Sequence, residues 1–179
     1  TINFHLAQDF GFAWTAAERN LFNAVFRAYE AVCNVDFVET DRSSAEIVEN
    51  KVTTEFAREV RPFGYVWAGW HDEPGAGERG GFFDFQRDFW SIAVVGGKAH
   101  WLMLHEIGHA LGLEHPHSTW HGSGLFPGVD AEKSSDPGDY ELNSVLATTM
   151  SYRLSRSSSG HIESYGQVAG PMAFDIAAL

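Results

Sequence analysis

The sequence predicts one α+β domain in which several strands and two long helices share a core. The chain has 179 residues, a length at which one domain buries roughly 70% of the surface that its unfolded form exposes. The hydrophobic share is 44%, with 6 Trp and 14 Phe, so material for such a core is present. Strand-like alternation and helix-like periodicity also follow one another along the chain, which favours a mixed architecture.

The amino-terminal segment predicts a strand followed by a long helix. Apolar and polar residues alternate over residues 1–7, as in a half-buried strand. Thr15 is followed three residues later by Glu18, which is a capping box and predicts a helix running to about Asn34. The apolar residues of this helix recur at helical spacing and should cover one face of a sheet: Leu21, Phe22, Val25, Phe26, Tyr29 and Cys33.

Several further strands are predicted before the middle of the chain. Residues 35–40 and 45–50 predict two strands joined by a polar turn, and residues 63–70 predict another. The glycine-rich residues 74–81 predict a loop. The aromatic run Phe82-Phe83-Asp84-Phe85 then predicts a short strand. Because this run lies just before the next helix, we expect it to be an edge strand.

Composition and charge exclude several function classes. The formal net charge is −12 and the pI is about 5.0, which argues against a nucleic-acid partner because phosphate binding needs a basic surface. The single cysteine, Cys33, excludes an internal disulfide and a cysteine-based zinc site. No apolar run is long enough to span a bilayer, and no signal-peptide pattern is visible at the amino end.

The segment His105-Glu106-Ile107-Gly108-His109-Ala110-Leu111-Gly112-Leu113-Glu114-His115 carries the chemistry. Residues 98–111 predict a helix, on which His105 and His109 project from the same face one turn apart. Gly112 is a helix stop that lets His115 return as a third ligand. Three neutral imidazoles suit one catalytic Zn²⁺ and leave a coordination position for water. Glu106, beside the first ligand, is placed to act as general base.

Three other histidines lie near the motif, and two of them are alternative candidates for the third metal ligand. His117 and His121 could replace His115 as the third ligand, although the spacing after Gly112 favours His115. His100 lies off the ligand face and is expected on the helix surface.

The remainder of the chain predicts an irregular region that ends in a helix. Residues 116–149 are rich in Gly, Ser, Asp and Pro and predict a long segment without regular structure. Pro171 begins a last helical stretch that runs to Leu179 without a cap, so we expect the natural chain to continue past residue 179.

The motif with Pro116 after the third histidine, followed later by Thr149-Met150-Ser151-Tyr152, resembles the serralysin branch of the metzincin peptidases. The resemblance covers essentially the whole chain. It implies a twisted mixed five-stranded sheet with two long helices above a cleft, in an upper subdomain of residues 1–115. It also implies an irregular lower subdomain of residues 116–179 within a single catalytic domain.

The same resemblance implies roles for individual residues. Met150 would form the Met-turn beneath the zinc ion. Tyr152 would ligate zinc at rest and stabilise the oxyanion when substrate binds. An extended polypeptide substrate would pair with the edge strand expected at Phe82, Phe83, Asp84 and Phe85. The implied enzyme is a zinc-dependent endopeptidase, secreted from a bacterium.

Partners and a second cofactor follow as expectations. Ca²⁺ is a candidate ligand of the irregular region, and a propeptide or protein inhibitor is a candidate occupant of the cleft. A monomer is expected. Two alternatives to the endopeptidase remain open at the level of the sequence: a zinc-containing module that binds a protein without cutting it, and a zinc hydrolase of non-peptide substrates.

Overall fold

A computed structural model describes residues 1–60, 68–72, 74, 79–131, 133–153 and 166–179. The strands are β1 (Ile2–Leu6), β2 (Phe37–Glu39), β3 (Ile47–Val52), β4 (Gly69–His71) and β5 (Arg79–Asp84). The helices are α1 (Ala16–Glu30), α2 (Thr54–Val60), α3 (Lys98–Ala110) and α4 (Ala173–Ala178). The predicted α+β class with a five-stranded mixed sheet and two long helices is therefore confirmed.

The sheet has the strand order β2-β1-β3-β5-β4, and β4 is its antiparallel edge. The prediction that Phe82–Phe85 form an edge strand is wrong. β5 pairs with β3 from Arg79 to Asp84 on one side and with β4 on the other. The reason is that β4 precedes β5 in the chain and folds back antiparallel along its outer side, so both sides of β5 are hydrogen-bonded.

Helix α1 begins at the predicted capping box. The Thr15 amide donates to the Glu18 carboxylate over 2.7 Å, and the Glu18 amide donates to the Thr15 hydroxyl over 3.3 Å. The helix ends at Glu30, before the predicted Asn34. The Val32 amide donates to the Tyr29 carbonyl, an i→i−3 bond that tightens the last turn, and the Cys33 amide donates to the same oxygen.

Helices α1 and α3 pack on the same face of the sheet, which we call the inner face. Phe83 of β5 is fully buried there, and its ring makes edge-to-face contacts with Trp14 and Phe22. Burying a side chain of this size stabilises the fold by roughly 1.5–3 kcal/mol. Helix α3, which carries the motif histidines, meets the same face where Glu106 lies against Gly69 of β4.

The opposite face of the sheet is partly covered by α2, which the sequence analysis did not predict. Phe56 of α2 packs against Phe10 and Phe82, with ring centroids 4.6 and 6.0 Å apart. The helix has only seven residues, too few to show a clear helical period.

Two other predicted segments lie partly outside the described residues. Residues 63–67 of the predicted strand lie outside them, and Gly69 and Trp70 belong to β4. Residues 75–78 of the predicted loop also lie outside them, whereas Arg79–Gly81 belong to β5 rather than to a loop.

In the part of the chain after α3 that the structure describes, there is little regular structure. Among the described residues of 116–149, only two short 3-10 turns occur, at Trp120–Gly122 and Asp139–Glu141, as predicted. The last helix, α4, begins two residues after Pro171. The division into subdomains at residue 115 stays a prediction. None of the helices in the described ranges combines the length and apolarity that crossing a membrane requires.

Candidate metal centre and active site

The end of α3 brings three histidines together. His105 and His109 lie one turn apart on the buried side of the helix. Gly112 then adopts φ +97°, a left-handed conformation that favours glycine, and the Leu113 amide donates to the Gly108 carbonyl over 2.9 Å. This helix ending turns the chain back, so that His115 lies beside the two helical histidines.

The three rings present their Nε2 atoms to one point. His115 Nε2 lies 3.1 Å from His105 Nε2 and 3.1 Å from His109 Nε2. One ligand atom from each of the three residues lies within 4.8 Å of the other two. The sequence prediction that these histidines converge is therefore met by the geometry.

Hydrogen bonds on the far side of two rings fix their tautomers. His105 Nδ1 lies 2.9 Å from the Thr149 carbonyl oxygen, and His109 Nδ1 lies 2.9 Å from the Leu113 carbonyl oxygen. A carbonyl oxygen can only accept, so each Nδ1 carries the hydrogen and each neutral ring presents an Nε2 lone pair. Metal-ligating histidines are typically oriented in this way by a second hydrogen bond.

The environment keeps His105 and His115 neutral. Burial lowers the pKa of His105 to about 3, with further lowering from the nearby His109 and His117 that outweighs the hydrogen bond to Thr149. Burial also lowers the pKa of His115, and His105, His109 and His117 add to this effect. Neutral imidazole is the form that binds a metal ion.

The nitrogen spacing fits zinc. With zinc–nitrogen bonds of about 2.05 Å in a tetrahedral arrangement, ligand nitrogens lie roughly 3.3 Å apart. The two observed Nε2 separations are 3.1 Å. Three neutral nitrogen donors at this spacing, with their hydrogens directed away, form a donor set suited to Zn²⁺.

The alternative ligands are placed differently. His117 is buried beside the site, and its ring stacks on that of His115 with centroids 5.2 Å apart, but it is not in the group of three convergent ligands. The side chain of His121 lies outside those that the structure describes. The prediction that His100 lies on the helix surface is wrong, because its side chain is fully buried where α3 packs against the rest of the fold.

Glu106 lies next to the histidines, against the edge strand. Its side chain is buried, and a Cβ built on Gly69 of β4 would lie 2.9 Å from Glu106 Oε1. A larger residue at position 69 would therefore displace the carboxylate. Because Gly69 has no side chain, Glu106 can fit beneath the edge strand and remain beside the ligands.

Met150 is buried against α3, the helix that carries His105 and His109. Its side chain is 1% exposed, and its sulfur packs against α3 at Gly108. The turn that carries Met150 is held by Asp175 of α4, whose carboxylate accepts from the Thr148 hydroxyl over 2.5 Å and from the Thr149 amide over 2.8 Å. Since the Thr149 carbonyl orients His105, Asp175 also acts on the metal ligand through the turn.

Tyr152 reaches the point where the histidines meet. Its hydroxyl lies 2.6 Å from His115 Nε2, and its ring stacks on His105 with centroids 5.2 Å apart. The side chain is 40% exposed, so it is the most accessible of the groups around the site. A partly exposed side chain can leave this position more readily than a buried one.

The fold and the metal centre together place the chain among the metzincin-type zinc metallopeptidases. The profile of one family, matrixin, matches residues 2–137, a range that contains α3 and all three histidines. This is well over half of the 179 residues, and the chain belongs to the matrixin family. Members of this family are zinc-dependent endopeptidases, so a catalytic zinc ion and a protein substrate follow. A search of curated proteins finds no match.

Sequence reasoning missed three residues that shape the site. Gly69 and Asp175 were not singled out, and Thr149 was noted only as part of the turn. Their roles depend on contacts between segments far apart in the chain, for which a single sequence carries no signal. The one indication in the sequence for Asp175 was an acidic residue directly after Phe174 in an otherwise apolar segment.

Proposed function

We propose that this matrixin cleaves extended polypeptides with Glu106 as general base and Tyr152 as oxyanion stabiliser, in the manner of the serralysin branch. The observation that carries the proposal is the meeting of three Nε2 atoms at the end of α3, the helix on which the buried Glu106 directly follows His105. When bound, zinc supplies Lewis-acid chemistry and makes a water molecule acidic enough to lose its proton near neutral pH.

The chain's own residues supply the remaining steps. The Glu106 carboxylate accepts the proton of the attacking water and later delivers it to the leaving amine. His105 and His109 stay oriented through the Thr149 and Leu113 carbonyls while this occurs. The Tyr152 hydroxyl moves from its place near His115 and donates to the oxyanion.

The substrate strand is proposed to be β4 rather than Phe82–Phe85. The main chain of β5 is engaged by β3 and β4, whereas β4 has a strand on only one side among the described residues. Gly69 places β4 directly above Glu106. An extended peptide that adds to the outer side of β4 would therefore pass over the general base.

The serralysin-like features lie beyond the matched range. Met150 and Tyr152 follow residue 137, so the resemblance in this turn supports the narrower branch independently of the family match. Secretion from a bacterium is proposed on the same resemblance. A bound Ca²⁺ stays a prediction of the sequence analysis and enters no step here, and so do a propeptide, an inhibitor and a monomeric state.

The decisive experiment is the substitution Glu106→Gln with zinc content and peptide cleavage measured on the same preparation. We expect one zinc ion per chain and a loss of several orders of magnitude in kcat. Glu55→Gln, the same change on the exposed surface of α2, is the matched control and should cleave like the original chain.

Two outcomes would contradict the proposal. Undiminished cleavage by Glu106→Gln would remove this carboxylate from the mechanism. A zinc-loaded original chain that cleaves no unfolded protein would instead favour a zinc-containing module that binds its partner without cutting it.

A further inference from the structure

A row of three residues crosses the inner face of the sheet close to the site. Glu49 of β3 is paired with Gly81 of β5, and Gly81 is paired with His71 of β4. His71 Nε2 lies 3.0 Å from Glu49 Oε1, and both side chains are completely buried. A carboxylate and an imidazole thus join the central strand to the edge strand across the strand between them.

This contact requires glycine at position 81. A Cβ built there would overlap the Glu49 carboxylate and would lie 2.7 Å from His71 Cδ2. The two side chains therefore meet in the space that Gly81 leaves. Any other residue at position 81 would force them apart.

Both nitrogens of His71 face acceptors. Nδ1 lies 2.7 Å from the Asp72 carbonyl oxygen, and Nε2 lies against the Glu49 carboxylate. An imidazolium donates to both, whereas a neutral ring leaves one lone pair directed at an acceptor. The other Glu49 oxygen, Oε2, has no hydrogen-bond partner among the residues that the structure describes. A buried carboxylate with one oxygen outside any hydrogen bond is stabilised by a positively charged imidazolium beside it.

The surrounding charges also favour the protonated form of His71. Burial opposes protonation of His71, but the charge and hydrogen bond of Glu49, the Asp72 carbonyl and the charge of Glu106 raise its pKa. The nearby cations are engaged elsewhere on the inner face: Lys51 binds Glu18, and the Arg79 guanidinium donates to the Ala110 carbonyl. The Asp72 carboxylate accepts from the Gly80 amide.

The edge strand is short within the described ranges. Within the described ranges, only Gly69, Trp70 and His71 of β4 are in register with β5. Two residues from His71, Gly69 lies against Glu106. A movement of β4 would therefore change both the strand offered to substrate and the surface above the general base.

We propose that Glu49 and His71 form a positioning pair that fastens β4 to β3 across Gly81 and thereby sets the affinity for extended substrates. The inference rests on the proposed function of β4 as the substrate strand. Neither residue touches the reacting atoms. The pair acts through β4, so its loss should change KM for peptides that lie along the strand more than kcat.

The test compares two substitutions at Glu49 over about pH 6 to pH 9. Glu49→Leu cannot bind His71, and KM for an extended peptide should rise about tenfold at every pH, the effect of losing one hydrogen bond. Glu49→Gln keeps an uncharged hydrogen bond to the His71 Nε2 lone pair. In the original chain KM should rise as the pH exceeds the raised pKa of His71, and in Glu49→Gln this rise should be absent.

Controls separate this role from general stability. A short peptide that spans only the scissile bond should show little change in KM in either variant. Glu39→Gln alters an exposed ion pair with Arg19 on the opposite edge strand and should reproduce the original pH profile. If Glu49→Leu does not fold, Glu49→Gln answers the question alone, because it removes the titration and keeps the contact.

The inference can fail while the proposed function stands. Identical KM profiles for the original chain and Glu49→Gln would overturn it. If the original chain cleaves nothing, amide hydrogen exchange tests the pair instead. The Asp72 amide next to His71 donates to the Gly80 carbonyl over 3.0 Å. Its protection factor should fall at alkaline pH in the original chain but not in Glu49→Gln. Equal protection in both proteins would overturn the pairing role, independently of catalysis.

Discussion

Gly108 lies against Met150 at a distance that only glycine permits: a Cβ built on Gly108 would lie 2.6 Å from Met150 Sδ. The same Cβ would lie 3.0 Å from the Tyr29 hydroxyl, which donates to the Leu104 carbonyl over 2.7 Å. Because Gly108 has no side chain, both the Met150 sulfur and the Tyr29 hydroxyl can pack against α3 between His105 and His109.

Gly108→Ala should destabilise the protein although alanine favours helices. The added methyl group has no room between two buried side chains, and overpacking of this kind costs about 1–3 kcal/mol. Urea unfolding of the zinc-loaded protein measures the change. Gly124→Ala, where a Cβ would meet nothing within 4 Å, is the control. Equal stability of the Gly108→Ala and Gly124→Ala variants would show that Met150 can move aside without cost.

Asp175→Asn should weaken both the fold and zinc binding. The carboxylate accepts from the Thr148 hydroxyl and from the Thr149 and Met172 amides. An amide retains one acceptor oxygen, so we expect a loss of roughly 1–3 kcal/mol in unfolding free energy.

Because Thr149 orients His105, the zinc affinity of Asp175→Asn should fall about 10- to 100-fold, as for other residues that orient a metal ligand. Competition with a chelator measures it. Asp9→Asn, in an exposed ion pair with Arg42, should leave the affinity unchanged. A stable Asp175→Asn variant with full zinc affinity would be inconsistent with this role of the turn.

Tyr152→Phe should retain zinc and lose activity. The three histidines keep their Nε2 donor atoms, and His105 and His109 keep their carbonyl partners, whereas the hydroxyl near His115 is lost. Removing one donor to an oxyanion lowers kcat by about 10²–10³. Peptide cleavage at saturating substrate measures this, with Tyr140→Phe, which alters a 94% exposed tyrosine, as the control. Equal kcat for the two variants would exclude Tyr152 from the chemistry.

His100 should make the protein sensitive to acid. Burial lowers the pKa of His100 below the 6.5 of a free histidine, against a smaller opposing effect of the Val168 backbone. Below pH 6.5 the unfolded chain therefore gains a proton that the folded chain resists, and stability falls as the pH falls.

His100→Gln removes this titration. The original protein should then lose more unfolding free energy than the variant between about pH 7 and about pH 5. Urea unfolding across this range measures the difference. Parallel stability curves for the two proteins would contradict the assignment.

Local signals in the sequence predicted the elements that depend on neighbouring residues. Thr15 and Glu18 form the expected capping box because both partners lie within one turn. The convergence of His105, His109 and His115 also follows from one helix and its glycine stop, although the hydrogen bond that orients the His105 ring comes from the distant Thr149.

Predictions that depend on strand order or on distant partners failed. The position of Phe82–Phe85 within the sheet depends on where β4 folds, and the spacing of residues does not encode that. The burial of His100 depends on the packing of α3 against other parts of the chain. The Glu49–His71 pair joins two strands that are separated by a third strand. Its only indication in the sequence is Gly81, which sequence analysis assigned to a glycine-rich loop.

Glu49 and Lys51 also help to fix the register of β3 in the sheet. Both point to the inner face from the central strand, where Glu49 meets His71 and Lys51 meets Glu18. A slip of β3 by one residue would turn both charges to the other face and leave His71 and Glu18 buried without counter-ions. An apolar strand would tolerate such a shift more readily, so the two ion pairs select a single alignment of the strands during folding.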